Sequence, residues 1–504
     1  MTAIRTPHSV SSFGQQRLWA LAQAEGSNAA YNEQLDYLIE GDLDHVLLAR
    51  ALDIVVARHE TLRTRFVTVE GEARQDIGPP GSGFALRRED LSGRPDSGEL
   101  LVARQREECE TPFDLGAGPL ARGQLLTLAP DRHALLLTLH HSILDGLSVG
   151  LLLTEVSTVY AALLRGEPDP LPPLPAQFAD HAARQHAWVE GEEAASQAAY
   201  WRQQLADAPA LLALPADRPR PLLQDHAGGR VPVRVSRALA EKLESAARAQ
   251  DATLFTAVLT GWHILLSLLS GEADTVVGIP VAGRHRPEDE RLIGFFANSL
   301  AVRADLSGDP TGTEALRRVR SVLRGALDHQ ELPFERVVNA VNPKRSLSHS
   351  PLFQTMFSWG ITFRGWLRLP GARVEALDIP HAPAKFDLTL ILHRENGGVV
   401  GHLDYARALF DHATVERFVR YFTRVLEQLA LHPEREITAY ALLDAEERAD
   451  LLAEGRGRVT SGPVVGPVER FAEQVRVRPD EPALVCDGTR LTYAELDRRA
   501  NRLA

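Results

Sequence analysis

Ala134-Leu135-Leu136-Leu137-Thr138-Leu139-His140-His141-Ser142-Ile143-Leu144-Asp145-Gly146 is the stretch whose reading decides the fold. Ala134 to Leu139 form an almost unbroken apolar run of strand length, the pattern of a strand covered on both faces. Beyond Gly146 the period turns helical, with Leu152, Val156, Val159 and Leu163 on one stripe. The local prediction is therefore strand, short loop, helix, with a polar cluster at the end of a buried strand, where α/β proteins commonly place functional groups. Adjacent strand residues point to opposite faces, so His140 and His141 are expected to do different jobs, one facing a cavity and one packed. Neutral imidazole is well poised to take or share a proton near pH 7, and the nearby carboxylate of Asp145 is placed to orient the loop. The residues alone leave two readings open: a chemical centre, or two satisfied structural histidines.

Working outward, the texture stays α/β. Leu35, Tyr37 and Ile39 recur at period two, and Leu48, Leu52 and Val55 at helical spacing. The proline-dense stretch Pro168 to Pro175 cannot continue a helix or a central strand and is read as the boundary between two lobes. In the second lobe Val258, Trp262, Leu265 and Leu269 line a helix that Gly271 can end, followed by an apolar strand at Thr275 to Pro280. Thr355 to Trp359 and Asp387 to Leu392 also read as strands. After about residue 445 a charged helical stretch gives way to Gly455, Gly457, Gly462, Pro463 and Gly466, the composition of a linker. The divisions predicted are 1–175, 176–445, a linker at 446–466, and 467–504.

Composition narrows the function classes. A chain of 504 residues exceeds one ordinary core, and 44% hydrophobic with 24% charged residues describes a soluble globular protein. The net charge of -12 argues against a general nucleic-acid binder, which needs a basic face. Cys109 and Cys486 stand far apart with no CxxC spacing, so neither a disulfide framework nor a zinc knuckle is suggested. Met1 to Pro7 lack the apolar core of a secretion signal, and the sequence reading finds no apolar stretch long enough to span a bilayer, so a cytoplasmic protein without a membrane partner is expected.

Three motifs compete with the histidine cluster. Gly146-Leu147-Ser148-Val149-Gly150 matches the G-x-S-x-G hydrolase elbow, yet that elbow needs its serine on a sharp turn directly after the strand. Gly116-Ala117-Gly118-Pro119-Leu120-Ala121 matches a loose G-x-G-x-x-A, but Pro119 removes a backbone N–H that a phosphate cradle would use. No H-E-x-x-H occurs and neighbouring strand histidines diverge, so no metal site is expected.

His140-His141-Ser142-Ile143-Leu144-Asp145-Gly146 resembles the H-H-x-x-x-D-G signature of condensation domains of nonribosomal peptide synthetases, members of the chloramphenicol acetyltransferase-like superfamily. Segments resembling the other family motifs follow in order. Among them are Ser12 to Trp19, Arg58 to Phe66, Gly278 to Arg284, Ile293 to Leu300, His329 to Glu335 and Pro351 to Gln354. The resemblance implies two chloramphenicol acetyltransferase-like lobes in a V, an α/β pseudo-dimer with a central tunnel and His141 near its middle. It implies an amide-forming acyltransferase: the amine of an acceptor on one carrier protein attacks the thioester of a donor on another. Both substrates would ride on 4'-phosphopantetheine arms, the domain itself holding no cofactor. Upstream and downstream peptidyl carrier proteins and an adenylation domain of the same synthetase would be its partners, and the domain itself would be a monomer.

By the same resemblance Asp145 pairs with Arg284 to fix the loop, and His140 supports the site. Gly146 keeps the tunnel floor free of a side chain, while Leu147, Ser148 and Asn298 line or flank the passage. Leu147 departs from the tryptophan common in the family, and Ala297 and Ser299 from the usual valine and threonine. These departures leave open a subtype that also modifies a tethered residue, such as dehydration of a seryl side chain. A non-catalytic recruiting platform and an epimerase-type homologue are the other readings. Leu491-Thr492-Tyr493-Ala494-Glu495-Leu496 resembles the start of an adenylation domain, so the chain reads as a piece of a larger synthetase.

Overall fold

The computed structural model of this chain describes residues 8–25, 27–360, 365–379, 383–456, 465–486 and 488–503. Met1 to Pro7, and Gly457, Gly462 and Pro463 of the predicted linker, lie outside the described residues. The chain falls into two compact units, Met1–Leu442 and Leu443–Ala504.

The apolar run before the histidine pair is the strand Arg132–His140, the middle of a five-stranded sheet. Asn32–Gly41 runs antiparallel on one side of it, with Asn32 opposite His140, and Ala121–Ala129 antiparallel on the other. Ala85–Asp90 extends the sheet in parallel beyond Ala121–Ala129. Leu35, Tyr37 and Ile39, spaced by two, all face the core under this sheet, where Leu48, Leu52 and Val55 of the helix His45–Arg58 meet them.

Over the same core lies the helix Gly146–Leu164, whose Leu152, Leu153, Val156, Val159 and Tyr160 are at most 2% exposed. Here the structure corrects the sequence reading. This 19-residue helix, with a window of mean hydropathy 1.7, is long and apolar enough to cross a bilayer by length and composition. In this fold its apolar side is consumed by packing against the first sheet's core.

A second sheet has six strands in the order Asn298–Asp305, Asp274–Val281, Thr355–Trp359, Leu388–Glu395, Gly398–Ala406 and Gly228–Val235. Thr355–Trp359 runs parallel to both its neighbours, and the other pairings are antiparallel. The helix Leu254–Ser270 starts on Thr253, whose side chain accepts from the Thr256 N–H, and stops at Gly271 with φ +73°. Trp262 of this helix meets Phe422 of the helix His412–Leu431 edge to face, 5.6 Å between ring centroids.

Pro168 to Pro175 carry no helix or strand, but the lobes do not divide cleanly there. Ala372–Ala376, assigned by the sequence reading to the second lobe, pairs with Asn32–Gly41 and becomes the edge strand of the first sheet. Just before it, Trp366, Leu367 and Leu369 insert into the first core. A short hydrophobic segment far along the chain gives no local sign of which sheet it joins, because both sheets offer the same backbone pairing.

Within the second unit, Pro482–Cys486 and Thr489–Thr492 form a hairpin flanked by the helices Pro467–Val477 and Tyr493–Leu503. The helix Ala445–Gly455, capped by Asp444, occupies the first half of the predicted linker.

The returning segment presses closely on the helix Gly146–Leu164: a Cβ on Gly150 would sit 1.8 Å from the Trp366 ring. Gly150→Ala is therefore expected to lower stability by about 1–3 kcal/mol through overpacking. Chemical denaturation checks this, and an unchanged midpoint would show that Trp366 does not pack there.

Candidate active site

The strand Arg132–His140 delivers its two histidines into different surroundings. Backbone ties hold both: the His140 N–H donates to Leu120 O at 2.9 Å and the His141 N–H to Tyr31 O at 2.8 Å. His140 is fully buried between the rings of Tyr31 and Phe113. Its Nδ1 accepts from the Ser142 backbone N–H at 3.2 Å, which leaves the ring proton on Nε2. Burial, reinforced by His141 and Lys385, lowers its pKa to about 3, so it is a neutral packing group at physiological pH.

His141 turns the other way, into a cavity of about 440 Å³ whose wall also includes Tyr31, Glu33, Phe295, Asn298 and Lys385. Its ring stacks at a tilt on Phe295, 4.7 Å between centroids. Nδ1 lies 2.9 Å from Leu144 O, and a carbonyl can only accept, so Nδ1 carries the proton and Nε2 keeps a bare lone pair. Burial is the largest influence on this imidazole and Lys385 the next. Together they outweigh Glu33, Asp145 and the Leu144 carbonyl, and bring its pKa down to about 4. The arrangement thus presents a neutral hydrogen-bond acceptor to whatever enters the cavity.

Two residues that sequence reasoning missed stand beside it. Glu33 Oε1 is 3.7 Å from His141 Nδ1 and 2.7 Å from Lys385 Nζ. Burial alone would raise the Glu33 carboxyl, but Lys385 and His141 more than offset it and hold the group well below the usual carboxylate range. Glu33 sits on the strand Asn32–Gly41 and Lys385 is 352 residues away in the chain, so no sequence spacing links them.

Asp145 spends all its hydrogen-bonding capacity on structure. Oδ1 accepts from the Ser148 N–H at 2.8 Å, capping the helix Gly146–Leu164. Oδ2 accepts from Arg284 Nη1 at 2.9 Å and from the N–H groups of Phe296 and Ala297 at 3.0 and 3.2 Å. Arg284 also donates to Ser148 Oγ and Leu292 O, and its guanidinium lies 4.1 Å over the Phe296 ring. The loop bearing His141 is thereby stapled to the segment that leads into Asn298–Asp305 of the second sheet.

The structure revises the remaining candidates. Ser148 is fully buried, donating to Gly294 O and accepting from the Gly294 N–H and Arg284, so it is neither a nucleophile nor a wall residue. Gly146 and Leu147 begin the same helix, and neither is among the residues lining the cavity, so Gly146 does not form its floor. The first helical turn is instead tied to the 292–297 segment, through Asp145 to Phe296 and Ala297 and through Ser148 to Gly294. Asn298 does line the cavity, but its side-chain amide is used up on Gln330 O, Leu332 O and the N–H groups of Ser299 and Phe334. In the glycine-rich loop, the N–H groups of Gly116 and Ala117 donate to Asp114, which leaves no phosphate cradle.

Removing one partner of the Asp145–Arg284 pair leaves a charge unpaired at sites that are 3% and 5% exposed. Asp145→Ala and Arg284→Ala are each expected to cost about 3–5 kcal/mol. Normal denaturation midpoints for both variants would contradict the staple.

Residues 8–452 match the family model described as Condensation domain. The chain is 43% identical over 494 residues to malpinin synthetase of Mortierella alpina, covering 98% of this chain and 6% of that protein. It is 41% identical over 505 residues to a linear gramicidin synthase of Brevibacillus parabrevis, covering 99% of this chain and 10% of that one. The chain thus spans a small fraction of these relatives. Among solved structures, the X-domain in complex with OxyB from teicoplanin biosynthesis superposes with a TM-score of 0.81 at 29% identity, covering 88% of this chain and 98% of that one. The four-domain nonribosomal peptide synthetase holo-AB3403, bound to AMP and glycine, gives a TM-score of 0.82 at 26% identity, over 98% of this chain and 38% of that one. With the family signature placed on a cavity-facing imidazole and the fold matched across both sheets, this chain belongs to the condensation domain family.

Proposed function

We propose that this chain forms an amide bond by acyl transfer between two carrier-tethered substrates, with His141 holding the attacking amine. The single observation that carries the reading is the bare Nε2 of His141 in a cavity, fixed by the Nδ1–H bond to Leu144 O. The donor would arrive as a thioester and the acceptor as an amine, each on a 4'-phosphopantetheine arm of a peptidyl carrier protein, with an adenylation domain in the same synthetase supplying activated residues.

The low basicity of His141 supports a ring that orients the amine before attack rather than one that deprotonates an ammonium group. An imidazole whose conjugate acid titrates near 4 does not take the proton of a free ammonium group, whose pKa is about 8. The neutral amine, already present as a fraction at pH 7, is the nucleophile, and His141 Nε2 accepts its N–H and points its lone pair at the donor carbonyl. As the C–N bond forms, the nitrogen becomes cationic and acidic. His141 then takes one proton from it and returns that proton to the departing sulfur as the C–S bond breaks. The products are an amide and a carrier thiol, with no net change at the enzyme.

A binding platform without chemistry is the competing reading, since the similar X-domain occurs in complex with OxyB. His141→Ala in an assay with both carriers loaded separates the two. The expected loss of amide yield is about 100-fold or more, and a full yield would overturn the proposal.

The pH dependence supplies a second check. With His141 neutral down to about pH 4, only the amine titrates between pH 5.5 and 6.5, and the log of the single-turnover rate rises with a slope of about one. A slope that starts at about 2 and falls to about 1.5 across that range would mean that an ordinary imidazole, titrating near 6.5, also has to be deprotonated.

A further inference from the structure

His141 has a carboxylate neighbour that it does not bind, and a cation stands between that carboxylate and freedom. Glu33 Oε1 is 3.7 Å from His141 Nδ1, beyond hydrogen-bond distance, while the same oxygen takes Lys385 Nζ at 2.7 Å. Glu33 belongs to the first sheet. Lys385 is anchored from the other half of the unit, its carbonyl accepting from Gln224 Nε2 at 2.9 Å and the preceding Ala384 N–H donating to His226 O at 2.9 Å. Lys385 Nζ also lies 5.4 Å over the Tyr31 ring.

We propose that Lys385 is a positioning residue that holds Glu33 off His141 and so preserves the neutral imidazole with its proton on Nδ1 and its lone pair on Nε2. A carboxylate released beside an Nδ1–H would form the familiar carboxylate–imidazole pair, which stabilises the imidazolium. An imidazolium has no lone pair to offer an amine. The other charged or titratable groups around the ring do not compete for this role. Asp145 is engaged by Arg284, Ser148 and two backbone N–H groups, and His140 is buried and neutral. Lys385 also lowers the pKa of His141 directly, through charge repulsion, and Glu33 raises it, so both act in the sense that the geometry gives.

The inference rests on the amide-forming reading of His141, and its test has a readout that does not need product. In Lys385→Met the His141 ring, followed by the Cε1–H resonance in an NMR titration of the whole chain, is expected to titrate at least one pH unit higher than in wild type. In single-turnover assays the same variant should gain a second unit of slope below that raised value and recover toward the wild-type rate at higher pH. Lys385→Arg keeps the cation and should keep the wild-type slope. The double variant Glu33→Gln with Lys385→Met removes the carboxylate as well and should bring the ring back down toward its low titration point, short of it by the direct repulsion that Lys385 supplied.

A His141 resonance that titrates at the wild-type position in Lys385→Met would overturn the inference, whatever the activity. A raised titration point that the double variant fails to lower would overturn it too, since the shift would then not come from Glu33. If the NMR shifts behave as stated and no variant, wild type included, forms amide, the proposed function fails and the positioning of the ring stands.

Discussion

One hydrogen bond, from His141 Nδ1–H to the carbonyl of Leu144 at 2.9 Å, fixes what this site can do. It chooses the tautomer, and the tautomer chooses which nitrogen meets the cavity. Its geometry depends on the short loop between His140 and Gly146 keeping one shape, and that loop has no regular structure of its own to enforce it. The enforcement comes from outside, through Asp145, which ties the loop to the helix it precedes and to the 292–297 segment. A buried carboxylate with all its partners supplied is stiff, because any movement strands several donors at once.

The division of labour among the polar residues follows from burial. Asp145, Arg284 and Ser148 have buried side chains engaged with one another and with the 292–297 segment, so they hold shape. His141, Glu33 and Lys385 keep part of their surface in the cavity, where charge and lone pairs remain available. The loop joins the two groups, and Asp145 also acts on the His141 ring through its charge. Burial and Lys385 lower the basicity of His141, while Glu33, Asp145 and the Leu144 carbonyl raise it.

Much of this was legible in the sequence, for physical reasons that differ by residue. The strand ending at His140 and the helix from Gly146 follow from an apolar run and a change of period, and the opposite facing of the two histidines from the pleat. The pairing of Asp145 with Arg284 came from family resemblance. No pattern in the chain would have found it, because the two residues are 139 apart and meet only through tertiary structure. The same blindness hid Glu33 and Lys385, and the pairing of Ala372–Ala376 with Asn32–Gly41 of the first sheet. Ser148 misled in another way: a hydroxyl just past a functional loop reads as a site residue until its three hydrogen bonds are counted.

The central claim is the protonation pattern of one ring, and nitrogen chemical shifts read it directly. In protein labelled with ¹⁵N at histidine, at pH 7, the account predicts a protonated, pyrrole-type Nδ1 and a bare, pyridine-type Nε2 for His141, assigned by their disappearance in His141→Ala. A pyridine-type Nδ1, or two protonated nitrogens, would contradict it.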